Sequence, residues 1–310
     1  MGRTLVADCE HRGGFLTAAD LAAYRVERRE PLSMSYNGVR LLTNPPPSCG
    51  GILICFALAL LEGRGIGQLQ HGSAEHLKLV AAVMEQTNKA RVESGLSTLD
   101  ADQQASILLD PALLESYRDH LSGRYASLRG TTHISVIDAD GNAASLTVSN
   151  GEGAGYLIPG TGIMMNNMLG EEDINPHGFH RWPTDSRITS MMSPTLLMWP
   201  DDRIVALGSG GSNRIRTAIL QVLINRIDFG MDLEQAVHVP RIHHEGGFLN
   251  VEGGFGSGVE EALARAFPEH RLWDGLNLFF GGAHSVEQGP DEAGSVGASD
   301  PRRGGAWATI

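Results

Sequence analysis

The most constraining feature of the chain is a pair of alternating segments joined by a short turn, Thr131–Ser149, with the sequence TTHISVIDADGNAASLTVS. In each segment apolar and polar residues alternate, which is the period of a β-strand with one apolar and one mostly polar face. The DADGN stretch between them suits a three-residue loop in which Gly141 adopts the left-handed conformation and closes a bulge. The sequence therefore predicts a β-hairpin.

The loop also fixes the register of this hairpin. It pairs Asp138 with Asn142, and counting outward places Thr131 opposite Ser149. Side chains opposed in this way have Cβ atoms roughly 4.5–5.5 Å apart. The two hydroxyls either form a plain cross-strand pair on a solvated face, which composition alone favours, or mark a nucleophile and its orienting partner. In the second case the bond before Thr131 is cut, and the freed α-amine, with a pKa near ~8, is a base built into the nucleophile.

The chain changes in character at the start of this hairpin. Helical patterns dominate the first 130 residues, whereas strands and glycine-rich turns follow. The predicted elements are a helix capped by Thr17, a hairpin over Leu32–Thr43, helices over Ile52–Leu61, Glu75–Val92 and Pro111–Leu121, a loop over Ser122–Gly130, a hairpin within Ser193–Gly211, a helix from about Asn213, a helix near Val259–Phe267, and strands near Leu276–Phe280 and Ala283–Val286. The glycine-, aspartate- and arginine-rich tail after Glu287 is expected to be loose.

Composition and spacing exclude several classes of function. The formal net charge of −12 argues against a nucleic-acid partner, because binding phosphates needs a basic face. The longest apolar run, Gly51–Leu61, is too short to cross a bilayer and suits a buried helix. The histidines at 177 and 180, and those at 243 and 244, do not stand at ligand spacing on a clear helix. The turn Gly208–Asn213 lacks the lysine of a phosphate loop. We therefore expect no metal and no cofactor.

Several segments, in order along the chain, resemble motifs of the gamma-glutamyltransferase family of N-terminal-nucleophile hydrolases. They are FLTAADLAAY, NPPPSCGG, GTTHISVIDADGNA, GIMMNNMLGEED, SMMSPT, LGSGGSNRI, AVHVPRIHHE and GASDPRRGGA. Together they extend over essentially all 310 residues, and this ordered set outweighs the plain-pair interpretation of Thr131. The resemblance implies an α+β fold, the four-layer αββα sandwich of these hydrolases. The family precursor also has a long segment upstream of FLTAADLAAY. We therefore expect an N-terminally truncated fold, either from a fragment or mis-started reading frame or with a separate chain supplying the missing part.

The resemblance further implies a precursor that cleaves itself. Cleavage between Gly130 and Thr131 makes residues 1–130 the end of a large subunit and residues 131–310 the small subunit, and the two pieces stay together. Thr131 then attacks the γ-amide carbonyl of a compound such as glutathione and passes the glutamyl group to water or to an amine. Ser149 falls at the family's orienting threonine, a position that the hairpin register reaches independently.

The same resemblance places an oxyanion site in the turn before the helix near Asn213. The family's pair of glycines falls on Gly210 and Gly211, or on Gly211 and Ser212 when the segments are aligned without a slip. Backbone N–H groups in a glycine turn before a helix are able to stabilise an oxyanion. A plain strand-to-helix turn is the other interpretation of this segment.

The expected substrate-binding positions depart from the family pattern. Glu171 stands where an aspartate takes the substrate α-amino group, Met168 replaces a glutamine, and Gly151 replaces an asparagine. The serine pair for the α-carboxylate becomes Ser190 and Met191. These departures leave room for γ-glutamyl amides other than glutathione, or for another acylated amine.

Three functions are therefore carried forward. The first is an autoprocessing γ-glutamyl hydrolase or transferase with Thr131 as the nucleophile. The second is a related amide acylase, such as one acting on β-lactam side chains, which the two methionines favour. The third is a catalytically inactive fragment whose role is to assemble with another polypeptide.

Overall fold

Most of the described helices form where the sequence patterns predict them, but the helices over Gly2–His11, Ala101–Leu108 and Leu233–His238 were not predicted. The end of the predicted helix after Tyr117 and the predicted loop over Ser122–Gly130 lie outside the described residues. The computed structural model describes residues 1–95, 101–117, 131–171, 174–175, 178, 180–290 and 294–310. The helices are α1 (Gly2–His11), α2 (Ala18–Ala23), α3 (Cys49–Leu61), α4 (Ala74–Glu93), α5 (Ala101–Leu108), α6 (Pro111–Tyr117), α7 (Arg214–Ile227), α8 (Leu233–His238) and α9 (Ser257–Ala266). The predicted cap of α2 is confirmed, because the Thr17 hydroxyl accepts from the Asp20 amide and the Asp20 carboxylate accepts from the Thr17 amide.

Strands account for most of the second part of the chain. They are β1 (Leu32–Tyr36), β2 (Val39–Thr43), β3 (Thr131–Ile137), β4 (Ala143–Ser149), β5 (Thr195–Met198), β6 (Ile204–Gly210), β7 (Ile242–Glu245), β8 (Phe248–Val251), β9 (His270–Leu272), β10 (Gly282–Gln288) and β11 (Ser295–Ala298). Among the described residues, six strands form an antiparallel sheet in the order β1-β2-β5-β6-β10-β11. Because β1 and β2 precede residue 130 and β2 pairs with β5, one sheet joins the two predicted pieces of the chain.

This sheet carries helices on one face and the β3–β4 hairpin on the other. Along β6 the side chains alternate, so Val205 and Leu207 enter the apolar core beside α7, whereas Gly208 and Gly210 face the hairpin. The helix α3, which is apolar all round, is buried along its whole length against this core, as predicted.

The predicted α+β class is confirmed, and the described elements form a helix layer, a sheet and a hairpin layer. The four-layer sandwich stays a prediction. The outer face of the hairpin carries Ile134, Val136, Leu146 and Val148, each about half exposed. Among the elements that the structure describes, none covers this apolar face. No helix in the described ranges is long and apolar enough to span a membrane.

Two expectations for the end of the chain are wrong. Leu278–Phe280 is a 3₁₀ turn and not a strand. The described part of the tail, residues 288–290 and 294–310, is ordered, because β11 pairs with β10 and because two of its charged residues are buried in ion pairs. Asp300 lies 2.8 Å from the Arg241 guanidinium, and Arg302 lies 2.6 Å from the Glu252 carboxylate. Buried ion pairs of this kind hold a segment in place even when its composition is typical of a loop.

Candidate active site

The hairpin β3–β4 has the register that the sequence predicts. Thr131 lies opposite Ser149, and its hydroxyl donates to the Ser149 hydroxyl over 3.2 Å. At the other end the Asp138 carboxylate accepts from the amide of Asn142, 2.9 Å away, and Gly141 has a φ of +80°. The turn thus fixes the register, and the register places the two hydroxyls side by side. Gly130, the residue on the other side of the expected cleavage point, lies outside the described residues.

The polar face of the hairpin is the one that packs against the six-stranded sheet. The Ser145 hydroxyl donates to the carbonyl oxygen of Leu207 over 2.9 Å and accepts from the amide of Thr195 over 3.1 Å. His133, two residues after Thr131, is almost completely buried. The solvated-face interpretation of the Thr131–Ser149 pair is therefore wrong, because this face points into the protein.

His133 packs between the hairpin and β6. Its two ring nitrogens lie 2.8 Å from the Thr147 hydroxyl and 2.7 Å from the Ser135 hydroxyl. A Cβ added to Gly208 would lie 2.3 Å from the ring, so only a glycine leaves room for it. Burial, and secondarily the nearby His284, lowers the pKa of His133 to about 4. The ring is therefore neutral at pH 7, and its place beside the site agrees with a packing role.

The glycine turn after β6 touches the residue proposed as the nucleophile. A Cβ on Gly210 would lie 2.1 Å from the carbonyl oxygen of Thr131, so no larger residue fits there without a shift. Gly211 has a φ of +130° and Ser212 a φ of +55°, which turns the chain sharply into α7. Both candidate oxyanion pairs lie in this turn, and the choice between them stays a prediction.

Glu171 reaches the same region through Gly151. The amide of Gly151 donates to the Ser149 hydroxyl over 3.1 Å, and Gly151 has a φ of +65°. A Cβ there would lie 2.9 Å from a carboxylate oxygen of Glu171, which is buried. The buried Glu171 carboxylate therefore lies beside Gly151, the residue whose amide donates to Ser149 of the hydroxyl pair. Met168, at the start of the 3₁₀ turn before Glu171, packs against the hydrophobic core.

Ser190, in the segment that precedes β5, lies at the same end of the six-stranded sheet. Thr43 at the end of β2 pairs with Thr195 at the start of β5, and Thr195 pairs with Leu207 of β6. The chain therefore leaves β2, enters β5 and leaves β6 at one end of the sheet. At this end the Ser190 and Ser48 hydroxyls lie 3.2 Å apart. Met191 is buried in the core.

Sequence reasoning did not assign a role to Arg29, Arg187 or Ser48, which line a cleft with Ser190. The signal for Ser48 was present in NPPPSCGG, a segment quoted only for its resemblance. No comparable signal marks the arginines. Among the described residues, no three histidine, cysteine, aspartate or glutamate side chains gather into a group that could hold a metal.

Comparison with known proteins settles the family. The sequence model described as gamma-glutamyltranspeptidase matches residues 1–310. The chain belongs to the gamma-glutamyltranspeptidase family. Its relatives in this enzyme family include the acylase ACY 1 proenzyme of Pseudomonas sp. (strain SE83), which is 34% identical over 275 residues, with 85% of this chain and 49% of the relative covered. The glutathione hydrolase proenzyme of Escherichia coli (strain K12) is 29% identical over 335 residues, with 96% of this chain and 55% of the relative covered.

A solved structure supports the fold of this transpeptidase-family chain. The cephalosporin acylase from Bacillus halodurans superposes with a TM-score of 0.79 at 24% identity, over 100% of this chain and 59% of its own. At that identity the likeness concerns the fold alone. The chain spans about half the length of the two relatives named above.

Proposed function

We propose that the chain is the nucleophile-bearing part of an autoprocessing hydrolase or transferase acting on γ-glutamyl amides. The observation that carries this proposal is the Thr131–Ser149 hydroxyl pair, packed against the glycine turn at Gly210. A nucleophile, an orienting partner and backbone donors in a sharp turn are the parts that acyl transfer needs.

The proposed chemistry begins with cleavage of the Gly130–Thr131 peptide bond. The Thr131 hydroxyl oxygen then attacks the amide carbon of the donor, and the α-amine of Thr131 takes the hydroxyl proton. The tetrahedral oxyanion is stabilised by backbone N–H groups of the turn at Gly210–Ser212. Collapse breaks the C–N bond, and the amine leaves with the proton. Water or an acceptor amine then attacks the ester and restores the Thr131 hydroxyl.

Two contacts support roles for the neighbouring side chains. The Ser149 hydroxyl accepts from the amide of Gly151, so its position is held from the backbone while it accepts from Thr131. The buried Glu171 carboxylate beside Gly151 is placed to take a donor's ammonium group. In this proposal Ser190 faces the donor's acid group, and Met168 shapes the wall of the site from the core side.

The proposed split leaves residues 1–130 and 131–310 attached to each other. Strand β2 of the first piece pairs with β5 of the second over four residue pairs, Arg40↔Met198 to Thr43↔Thr195. Helices α3 and α7, one from each piece, bury their apolar residues in the same core. Separation of the pieces would expose that core, which disfavours dissociation.

A related amide acylase is the second candidate. Met191 replaces a hydroxyl that the resemblance assigns to the substrate α-carboxylate, and its side chain is buried in the core. The relative from strain SE83, 34% identical, is itself named an acylase. Both observations favour a donor whose acyl group differs from γ-glutamyl.

The test compares acyl donors on the purified chain, with Thr131→Ala as control. Release of p-nitroaniline from γ-glutamyl-p-nitroanilide by the parent alone, faster with glycylglycine as acceptor, is the expected result. Release only from donors that lack the γ-glutamyl α-amino group favours the acylase. Equal release by the parent and by Thr131→Ala contradicts both candidates.

A further inference from the structure

The helix α7 begins directly after the glycine turn that contains both candidate oxyanion pairs. The amide of Arg214 donates to the carbonyl oxygen of Gly211 over 3.0 Å. The amide of Ile215 donates to that of Ser212 over 3.0 Å. The direction of the N–H groups in the turn therefore depends on where the first turn of α7 lies. A misplacement of about 1 Å at such a site is able to slow a reaction about a hundredfold.

The first turn of α7 is polar and nevertheless buried. Arg214, Arg216 and Thr217 are each no more than 2% exposed. Farther along the helix, apolar residues such as Ile219 and Leu223 take the buried positions. Cations at a helix N-terminus oppose the helix dipole, and a buried guanidinium loses its hydration. This turn is therefore stable only because partners on other elements offset these costs.

Arg216 joins three elements of the fold at this point. Its guanidinium donates to a carboxylate oxygen of Glu245 in β7, 3.1 Å away, and to the amide oxygen of Asn88 in α4. From α4 as well, the Arg91 guanidinium lies 3.8 Å from the Glu245 carboxylate and donates to the side-chain oxygen of Asn213 over 3.4 Å. Because a guanidinium donates in a fixed planar fork, these contacts set the direction of α7 as well as its distance from β7.

A second link between β7 and α7 passes through His243. One of its ring nitrogens lies 2.9 Å from the Thr217 hydroxyl, and the other lies 3.2 Å from the Glu245 carboxylate. Burial raises the pKa of Glu245, but the hydrogen bond with His243 and the charge of Arg216 are chief among the effects that lower it to about 2. Glu245 is therefore a buried anion at pH 7, and two side chains of the first turn of α7 are held to it.

We propose that Arg216 and Glu245 are positioning residues for the reaction, because their buried ion pair holds the first turn of α7 and, with it, the N–H groups of the preceding glycine turn. Neither side chain touches the reacting atoms. Because α4 lies within residues 1–130, the piece before the proposed cleavage point also helps to order the oxyanion site of the other piece. The consequence for the rate rests on the proposed function, whereas the order of the turn is measurable without turnover.

The kinetic test uses conservative variants at the two ends of α7. Arg216→Lys keeps the charge but loses the forked contact with Glu245. With γ-glutamyl-p-nitroanilide, kcat should fall about tenfold while KM stays within about twofold, because the oxyanion is present only in the transition state. Glu245→Gln should change kcat in the same direction. The matched control is Arg226→Lys, since Arg226 is similarly buried in an ion pair with Glu287 at the far end of the helix, and its kcat should stay within about twofold of the parent.

Hydrogen exchange measured by mass spectrometry reports the order of the turn independently of activity. The amides of Arg214 and Ile215 are the probes, because each donates to a carbonyl oxygen of the glycine turn. In Arg216→Lys and in Glu245→Gln they should exchange about tenfold faster than in the parent. In Arg226→Lys they should exchange at the parent rate. Glu245→Gln provides both readouts where Arg216→Lys does not fold.

Three results overturn the proposal. Equal losses of kcat in Arg216→Lys and Arg226→Lys would show a general loss of stability. A rise in KM without a fall in kcat would place the effect in donor binding. Unchanged exchange at Arg214 and Ile215 would show that the ion pair does not hold the turn. Faster exchange in the variants, with no turnover of any donor by the parent, contradicts the proposed function alone, so the two failures are distinguishable.

Discussion

The hairpins β1–β2 and β3–β4 are both predicted from the sequence. The first buries its apolar side chains, whereas the second buries its polar side chains. In β2 the apolar Val39 and Leu41 are buried and Arg40 between them is exposed. In β3 the order is reversed, because Ile134 is half exposed and His133 beside it is buried. The first hairpin follows the ordinary rule of hydrophobic burial, and the second buries the side chains of a candidate site.

The reversal has a physical cause on the facing strand. Gly208 and Gly210 of β6 carry no side chains, so His133 and Thr131 fit against the backbone there. A buried polar face is tolerated only when its groups have hydrogen-bond partners. Ser145 illustrates the point, since its hydroxyl bonds both to β6 and to the start of β5. In this chain the inward polar side chains opposite glycines coincide with the candidate site.

Truncation of one leucine in each hairpin should give unequal losses of stability. Leu41 is fully buried, so Leu41→Ala is expected to lower the free energy of unfolding by about 2–5 kcal/mol. Leu146 is 52% exposed, so Leu146→Ala should lower it by less than about 1 kcal/mol. Urea denaturation of the parent and both variants measures the difference. Equal losses would show that another segment covers the outer face of β3–β4 in solution.

Acid should weaken the second hairpin through His133. Its pKa is about 4 in the folded chain, below the ordinary histidine value of 6.5, so the unfolded chain binds the proton first as the pH falls. Stability contributed by the neutral ring is complete above pH 6.5 and is lost between pH 6.5 and pH 4, up to about 3 kcal/mol. The difference in unfolding free energy between the parent and His133→Gln, measured from pH 7 to pH 4, gives the contribution of His133. His76 and His244 titrate in both proteins and cancel in the difference. A difference between the two proteins that does not change with pH contradicts the assignment.

Loss of the Ser149 hydroxyl should slow catalysis with little effect on stability. Ser149→Ala removes the acceptor of the Thr131 hydrogen bond, and we expect kcat/KM to fall roughly tenfold to a hundredfold, about 1.4–2.8 kcal/mol. Ser149→Thr keeps the hydroxyl and should restore most of the rate. Initial rates with γ-glutamyl-p-nitroanilide, beside the unfolding free energy of each variant, provide the measurement. A threonine variant as slow as the alanine variant argues for a steric role.

Much of the fold follows from local sequence signals. The helix cap at Thr17, the hairpin over Leu32–Thr43 and the loop at Gly141 each depend on neighbours in the chain, and each prediction is confirmed. The ordered tail could not be predicted, because Asp300 and Arg302 gain their partners only when distant strands have come together. Charged residues in a glycine-rich tail otherwise indicate a solvated loop.

The candidate site was predicted in part. The pairing of Thr131 with Ser149 follows from counting along one hairpin, so the sequence was sufficient. The contact of Gly210 with Thr131 depends on packing between two sheets, and no periodicity reveals it. The Ser48–Ser190 contact joins residues 142 positions apart, which only the order of strands brings together.

Intact-mass analysis of the purified chain, beside a Thr131→Ala control, tests the central claim most directly. The account predicts that the parent yields two pieces of 130 and 180 residues, the second beginning at Thr131 and ending at Ile310 of the 310-residue chain. The control should remain a single chain. Incubation of the parent with a γ-glutamyl donor and rapid acid quenching should then show the second piece heavier by one glutamyl group. A cut at another bond, or an acyl group on any residue other than Thr131, would contradict the account.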